Sequence, residues 1–141
     1  MNCNDYTTLI IEILKQNKLT LCTCECGTNG LVSSLLSKHL FSSQVFKGGI
    51  VINDLDLLKR DKIDKYLEQT MLNFKTEMIV CSYYEYDSES NEEKLNVIIQ
   101  FLDKIYKKEI REKMDCEKQT IKTLIFLYEL LQKINKKYGG E

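Results

Sequence analysis

Leu21-Cys22-Thr23-Cys24-Glu25-Cys26-Gly27-Thr28-Asn29-Gly30 is the stretch on which the fold turns. It starts as an alternating run. Leu19, Leu21, Thr23 and Glu25 fall on one face and Thr20, Cys22, Cys24 and Cys26 on the other, the period of a strand. Small residues follow, and then Leu31, Leu35, Leu36 and Leu40, which fit a helix over residues 30–40 buried on one side. A strand that runs through a glycine-containing turn into a helix brings a side chain and several backbone N–H groups to one point. Many anion-binding and nucleophile sites are built this way, so any chemistry is expected here.

On the amino-terminal side, Leu9, Ile10, Ile13 and Leu14 predict an amphipathic helix over residues 6–17 with Asp5 as its N-cap. On the other side, Phe41-Ser42-Ser43-Gln44 reads as a polar turn and residues 45–52 as a strand containing Gly48 and Gly49. Residues 53–58 turn into a short helix, and residues 61–73 form another with Ile63, Leu67 and Met71 inward. An apolar strand is expected at 76–82, an acidic surface loop at 83–94 and a strand at 95–102. A long helix over 109–137, with Met114, Ile121, Leu124, Ile125, Tyr128, Leu131 and Ile134 on one stripe, ends at Gly139-Gly140. The succession predicts one α/β domain over residues 1–141, a mixed β-sheet flanked by helices.

A chain of 141 residues is long enough to bury a substantial core. Its 43% hydrophobic and 29% charged residues are those of a globular protein, and no apolar run approaches a membrane-spanning length. Twenty basic residues balance 21 acidic ones, which gives no electrostatic case for nucleic acid or a membrane surface. Asn4 and Asp5 stand where a signal peptide would carry basic residues, so a cytoplasmic location is expected. Three of the six cysteines lie within five residues, a spacing that predicts reduced thiols and no disulfide framework. Side chains two apart on a strand are about 7 Å from each other, whereas ligand sulfurs around zinc are about 3.7 Å apart, so Cys22, Cys24 and Cys26 are expected to hold no metal.

In this order the residues resemble the C-terminal domain of the competence-damage-inducible protein CinA, the nicotinamide-nucleotide amidase family. Its members carry Ala-Thr-Ala-Glu-Ser-Cys-Thr-Gly-Gly, then Pro-Gly-Ser-Ser, then Phe-x-x-Gly-x-Val-x-Tyr-Ser-Asn-x-x-Lys. The corresponding stretches here are Cys22-Thr23-Cys24-Glu25-Cys26-Gly27-Thr28-Asn29-Gly30, Phe41-Ser42-Ser43, and Phe46-Lys47-Gly48-Gly49-Ile50-Val51-Ile52-Asn53-Asp54. The resemblance implies hydrolysis of the carboxamide of nicotinamide mononucleotide, with a serine nucleophile, an activating lysine and a nearby tyrosine. It implies no cofactor, a small-molecule nucleotide ligand and a homo-oligomer. Carried over by position, the serine falls on Cys26, the tyrosine on Asn53 and the lysine on Leu58, with Lys59 one residue later. A Gly-Pro-Gly-Gly loop of the family has no counterpart at Tyr83-Tyr84-Glu85-Tyr86-Asp87-Ser88-Glu89-Ser90.

Two functional readings stand. Cys26, at a helix N-terminus, could be the nucleophile of a diverged amidase if a bulge restores Lys59 as its base; otherwise it is a small core residue. Four departures from the family pattern favour the second reading, a catalytically impaired or inactive homologue that keeps a nucleotide pocket or serves as an interaction protein. Glu25 orients the turn or is an exposed strand carboxylate. Thr28, Asn29 and Gly30 supply oxyanion or phosphate contacts. Ser42 and Ser43 contact a phosphate or only form a turn, and Gly48 and Gly49 admit a ligand or mark a bulge. His39, the only histidine, is read as a helix-end cation or hydrogen bond.

Overall fold

A computed structural model describes residues 1–59 and 62–138. Its elements are α1 (Cys3–Gln16), β1 (Leu21–Cys26), α2 (Leu31–Ser37), a 3-10 turn (Ser42–Gln44), β2 (Phe46–Val51), α3 (Leu55–Lys59), α4 (Ile63–Phe74), β3 (Met78–Asp87), β4 (Glu92–Phe101), β5 (Lys104–Arg111) and α5 (Cys116–Tyr138). The five strands form one sheet in the order β2-β1-β3-β4-β5. The β1–β2 and β1–β3 pairs are parallel, while β3–β4 and β4–β5 are antiparallel, so the sheet is mixed as expected.

Helices cover both faces, and the alternation in β1 decides which side chain meets which layer. Leu21 joins the core made with α1, α2 and α5, alongside Ile10, Leu14, Leu36, Leu124 and Leu131. Cys22, Cys24 and Cys26 join Cys81, Ile79 and Ile98 on the other face, under Leu58 of α3 and Leu67 and Met71 of α4. The three thiols thus share a face, as the period of two requires.

Several expectations are corrected. The N-cap of α1 is Asn2, not Asp5: the Asn2 side chain accepts from the Asp5 amide at 3.0 Å, and the Asp5 carboxylate accepts from the Asn2 amide at 2.9 Å. Helix α2 stops at Ser37, leaving Leu40 84% exposed instead of buried. The expected acidic loop over 83–94 is largely strand, since β3 runs to Asp87 and β4 begins at Glu92. The last helix, expected from residue 109, starts only at Cys116, and residues 104–111 form the edge strand β5 instead. The buried stripe of α5 runs through Thr120, Thr123, Leu124, Leu127, Leu130, Leu131 and Ile134, with Ile121, Ile125 and Tyr128 at its half-buried margin. The glycine pair expected to end that helix, and Asp61 at the expected start of α4, lie outside the described residues.

Candidate functional site

β1 delivers Cys26 to the carboxyl edge of the sheet, and the chain then turns within four residues. Gly27 (φ +123°), Asn29 (φ 55°) and Gly30 (φ 90°) all take left-handed backbone there. Gly27 is required twice over. Its φ disfavours any other residue, and a Cβ would sit 2.7 Å from Gln119 Oε1 and 3.0 Å from Tyr84 Cβ.

Glu25 holds this turn together from beneath. Its side chain is on the α2 face of β1 and only 1% exposed. Oε1 accepts from Thr28 Oγ1 at 2.6 Å and from the Val32 amide at 2.9 Å. Oε2 accepts from the Ser33 amide at 3.0 Å and Ser33 Oγ at 2.5 Å. A helix N-terminus offers unpaired N–H donors and a positive dipole end, and here a buried carboxylate from the same chain occupies both. Thr28 Oγ1 also lies 3.0 Å from Ser82 Oγ, and Ser33 Oγ 2.7 Å from Thr23 Oγ1, so the network ties β1, α2 and β3. The Leu31 amide donates to Thr28 and the Ser34 amide to Gly30, so the amides of residues 31–34 are all spoken for. Among the described residues the amides of Asn29 and Gly30 have no acceptor, which leaves two donors at the turn for a ligand.

The Cys26 thiol lies on the other face, 5% exposed, in the cluster containing Cys24, Cys81, Leu58 and Tyr83. Burial pushes its pKa up, and the neighbouring Cys24 and Asp54 push it further in the same direction. Among the described residues no side chain hydrogen-bonds its sulfur. Lys59 hydrogen-bonds Glu85 of β3 instead, with its ammonium 5.9 Å from the centre of the Tyr83 ring. Leu58, at the family's lysine position, is 1% exposed and belongs to the core beneath the cysteines. Glu85 further accepts from Asn96 Nδ2 at 2.8 Å and stands 3.7 Å from Lys94. Burial acts to raise the Glu85 carboxyl, but Lys59, Asn96 and Lys94 together hold it below its ordinary value. Burial, with the charge of Glu85, pushes Tyr83 up to about 12.

The remaining candidates are spread out. Ser42 and Ser43 precede β2, whose first residue Phe46 pairs with Leu21 at the amino end of β1. Within one chain they are therefore a strand length, about 17 Å, from the Cys26 turn. Ser42 Oγ donates to the Ser37 carbonyl at 3.1 Å, and the Ser43 carbonyl accepts from Lys47 Nζ at 3.1 Å. The register of β1 against β2 shifts beside Gly48, and a Cβ added to Gly48 would lie 2.7 Å from the Phe74 ring and one added to Gly49 1.8 Å from Thr23 Oγ1. His39 lies beyond the end of α2, where its Nδ1 accepts from the Phe41 amide at 3.2 Å. Asp54, Tyr83, Glu85 and Asn96 were not singled out by sequence. The alternation Tyr83-Glu85-Asp87, which continues the strand, was the available signal.

No protein-family model matches the chain. Solved structures do. A CinA-superfamily protein of Klebsiella pneumoniae 700603 superposes with a TM-score of 0.74 at 14% identity, covering 94% of this chain and 97% of that one. The competence/damage-inducible protein CihA of Agrobacterium tumefaciens does so with a TM-score of 0.70 at 17% identity, covering 96% and 97%. The chain has the fold of CinA-superfamily proteins. In structure this is a likeness of fold, and a sequence likeness accompanies it over part of the chain. A CinA-like protein of Thermotoga neapolitana is 35% identical over 72 residues, 47% of this chain and 18% of that protein. The Protein MG115 homolog of Mycoplasma pneumoniae is 44% identical over 54 residues, 38% of this chain and 34% of that protein. The CinA-like stretch thus corresponds to about a third or less of each curated relative.

Proposed function

We propose that this CinA-like chain is a catalytically impaired or inactive homologue of nicotinamide-nucleotide amidase that keeps a nucleotide pocket. One observation carries the reading. The lysine next to the family's base position is bonded to Glu85, while the thiol at the nucleophile position is buried, has its pKa pushed up by that burial and is hydrogen-bonded to no base among the described residues. A nucleophile needs a base within hydrogen-bond reach, and an amide is too poor an electrophile for a neutral thiol. Retention of a pocket is supported by the two unpaired amides at the turn. A cleft of about 310 Å³ over β3, β4 and β5, which shares Tyr83 with the cysteine cluster and is lined further by Ile63, Asn96, Lys107, Lys108 and Glu109, supports the reading through its two lysines. In the same reading the protein works as a cytoplasmic homo-oligomer that engages neither nucleic acid nor membrane. Among the described residues no helix is long and apolar enough to cross a membrane.

The alternative, an active amidase with Cys26 as nucleophile, draws on the position of that thiol at the end of β1 beside the same amides. Incubation of purified protein with nicotinamide mononucleotide separates the two. The proposal expects no ammonia, together with a rise in melting temperature from the nucleotide. Ammonia release that a Cys26→Ala variant abolishes would establish the amidase. Absence of both ammonia and thermal shift would remove the pocket as well.

A further inference from the structure

At the opposite end of the sheet from Cys26, a cleft of about 510 Å³ opens between α4, the approach to β3 and the β4–β5 turn. That volume lies within the roughly 300–1,000 Å³ of small-molecule sites. Met71, Leu72, Leu102 and Ile105 form its apolar wall, and Leu72 (65%), Leu102 (57%) and Ile105 (41%) remain exposed. Gln100 of β4 also lines the cleft, although only 7% of it is exposed. Its Nε2 donates to the Leu102 carbonyl at 3.0 Å, which fixes which end of the amide is oxygen. That oxygen is buried and accepts no hydrogen bond. A buried acceptor left unpaired is destabilising, so a donor supplied by a ligand would recover that loss.

The rim selects the sign of the ligand. Four carboxylates line the cleft (Asp64, Glu68, Glu77 and Asp103) against one cation, Lys75. Glu77 is engaged by the Thr20 amide at 2.8 Å and Thr20 Oγ1 at 3.0 Å, and Asp64 stands 4.0 Å from Lys107. Glu68 and Asp103 are exposed and have no ion-pair partner among the described residues.

We propose that this cleft is a ligand site for a small organic cation, an apolar body carrying an ammonium group. The body covers Met71, Leu72, Leu102 and Ile105, an N–H donates to Gln100 Oε1, and Glu68 and Asp103 balance the charge. The same carboxylates repel a phosphate, so the site takes a different ligand class from the Cys26 turn and is independent of the proposal made for it.

Calorimetric titration of the full chain with tryptamine, its neutral analogue tryptophol and the anion indolepropionate tests this. Tryptamine should bind saturably, tryptophol several-fold more weakly and indolepropionate not measurably. The doubly substituted Glu68→Gln, Asp103→Asn protein, altered only at exposed positions, should lose about fivefold in tryptamine affinity and none for tryptophol. Gln100→Leu should weaken both about tenfold; if that variant does not fold, the exposed double variant decides alone. Absence of saturable tryptamine binding, equal binding of indolepropionate, or indifference to the double substitution would overturn the proposal. So would a concentration-dependent dimer that Leu72→Glu disperses and that excludes tryptamine, since the cleft would then be an interface between copies.

Discussion

The ammonium of Lys59 is bonded to the carboxylate of Glu85, on the same face of the sheet as the Cys26 thiol. Lys59 ends the short helix α3, Glu85 lies on β3, and the contact closes the carboxyl end of the sheet over Tyr83. Lys94 and Asn96 hold Glu85 from the other side, so the carboxylate is fixed and Lys59 is drawn to it. For Lys59 to serve Cys26 it would have to leave that carboxylate, in a setting where burial already disfavours the thiolate.

The thiol should therefore be sluggish. At neutral pH Cys26 is expected to react with iodoacetamide more slowly in the folded protein than in the denatured chain. Its rate should climb only above the ordinary thiol value of 9.0, because burial, Cys24 and Asp54 all raise it. Peptide mass spectrometry over a pH series measures this, and rapid labelling at neutral pH would reveal an activated nucleophile.

The Glu85 pairing gives a pH signature. A carboxyl held below its ordinary value of 4.5 in the folded state adds stability above that pH and loses it as pH falls through the folded value. Glu85→Gln should remove this acid-side loss. Because the Lys59 side chain is 44% exposed, the difference at neutral pH should be about 1 kcal/mol or less. Urea midpoints of the two proteins at neutral and acid pH provide the comparison.

Glu25 is a harder loss. Glu25→Ala strips acceptors from two amides and two hydroxyls in a buried network and should cost roughly 3 kcal/mol in chemical denaturation. A cost within a few tenths of a kcal/mol would mean that water replaces the carboxylate.

Gly49→Ala tests the packing of β2 on β1. The new methyl would meet Thr23 Oγ1 at 1.8 Å and the Thr23 carbonyl at 3.0 Å, so a loss of about 3 kcal/mol is expected. Combining it with Thr23→Ala, which removes the hydroxyl, should recover part of that loss by denaturant titration. Additive losses in the double variant would place the strain elsewhere.

Much of this architecture was legible because periodicity reports burial. The alternation at Cys22-Cys24-Cys26 gave β1 and its faces, and the Leu31-Leu35-Leu36 spacing gave α2. Where both faces of an element meet water, periodicity weakens. β5 carries Lys104, Lys107, Lys108, Glu109 and Arg111, with only Tyr106 and Ile110 half-buried. Charges of this kind protect an edge strand from pairing with other chains, but the same residues are good helix formers. The turn before it has Leu102 in left-handed backbone (φ 56°), where a glycine or asparagine would have announced a hairpin. The tyrosine-rich β3 extension was hidden in the same way, its carboxylates reading as a solvated loop until pairing with β4 set Glu85 against Lys94.

The order of the elements around Cys26 and the likeness to CinA can be read from the residues alone. Both rest on local spacing, and local spacing is written directly in the chain. The side-chain partners come from packing. The Glu25 carboxylate belongs to the start of α2, Lys59 to Glu85, and Ser42 and Ser43 to the far end of the sheet. Such pairings depend on which strands adjoin and in what register, a property of the packed sheet that no stretch of residues carries alone. The Cys26 turn is thus a well-formed corner of the fold, and the ammonium of Lys59 beyond it is held by the carboxylate of Glu85.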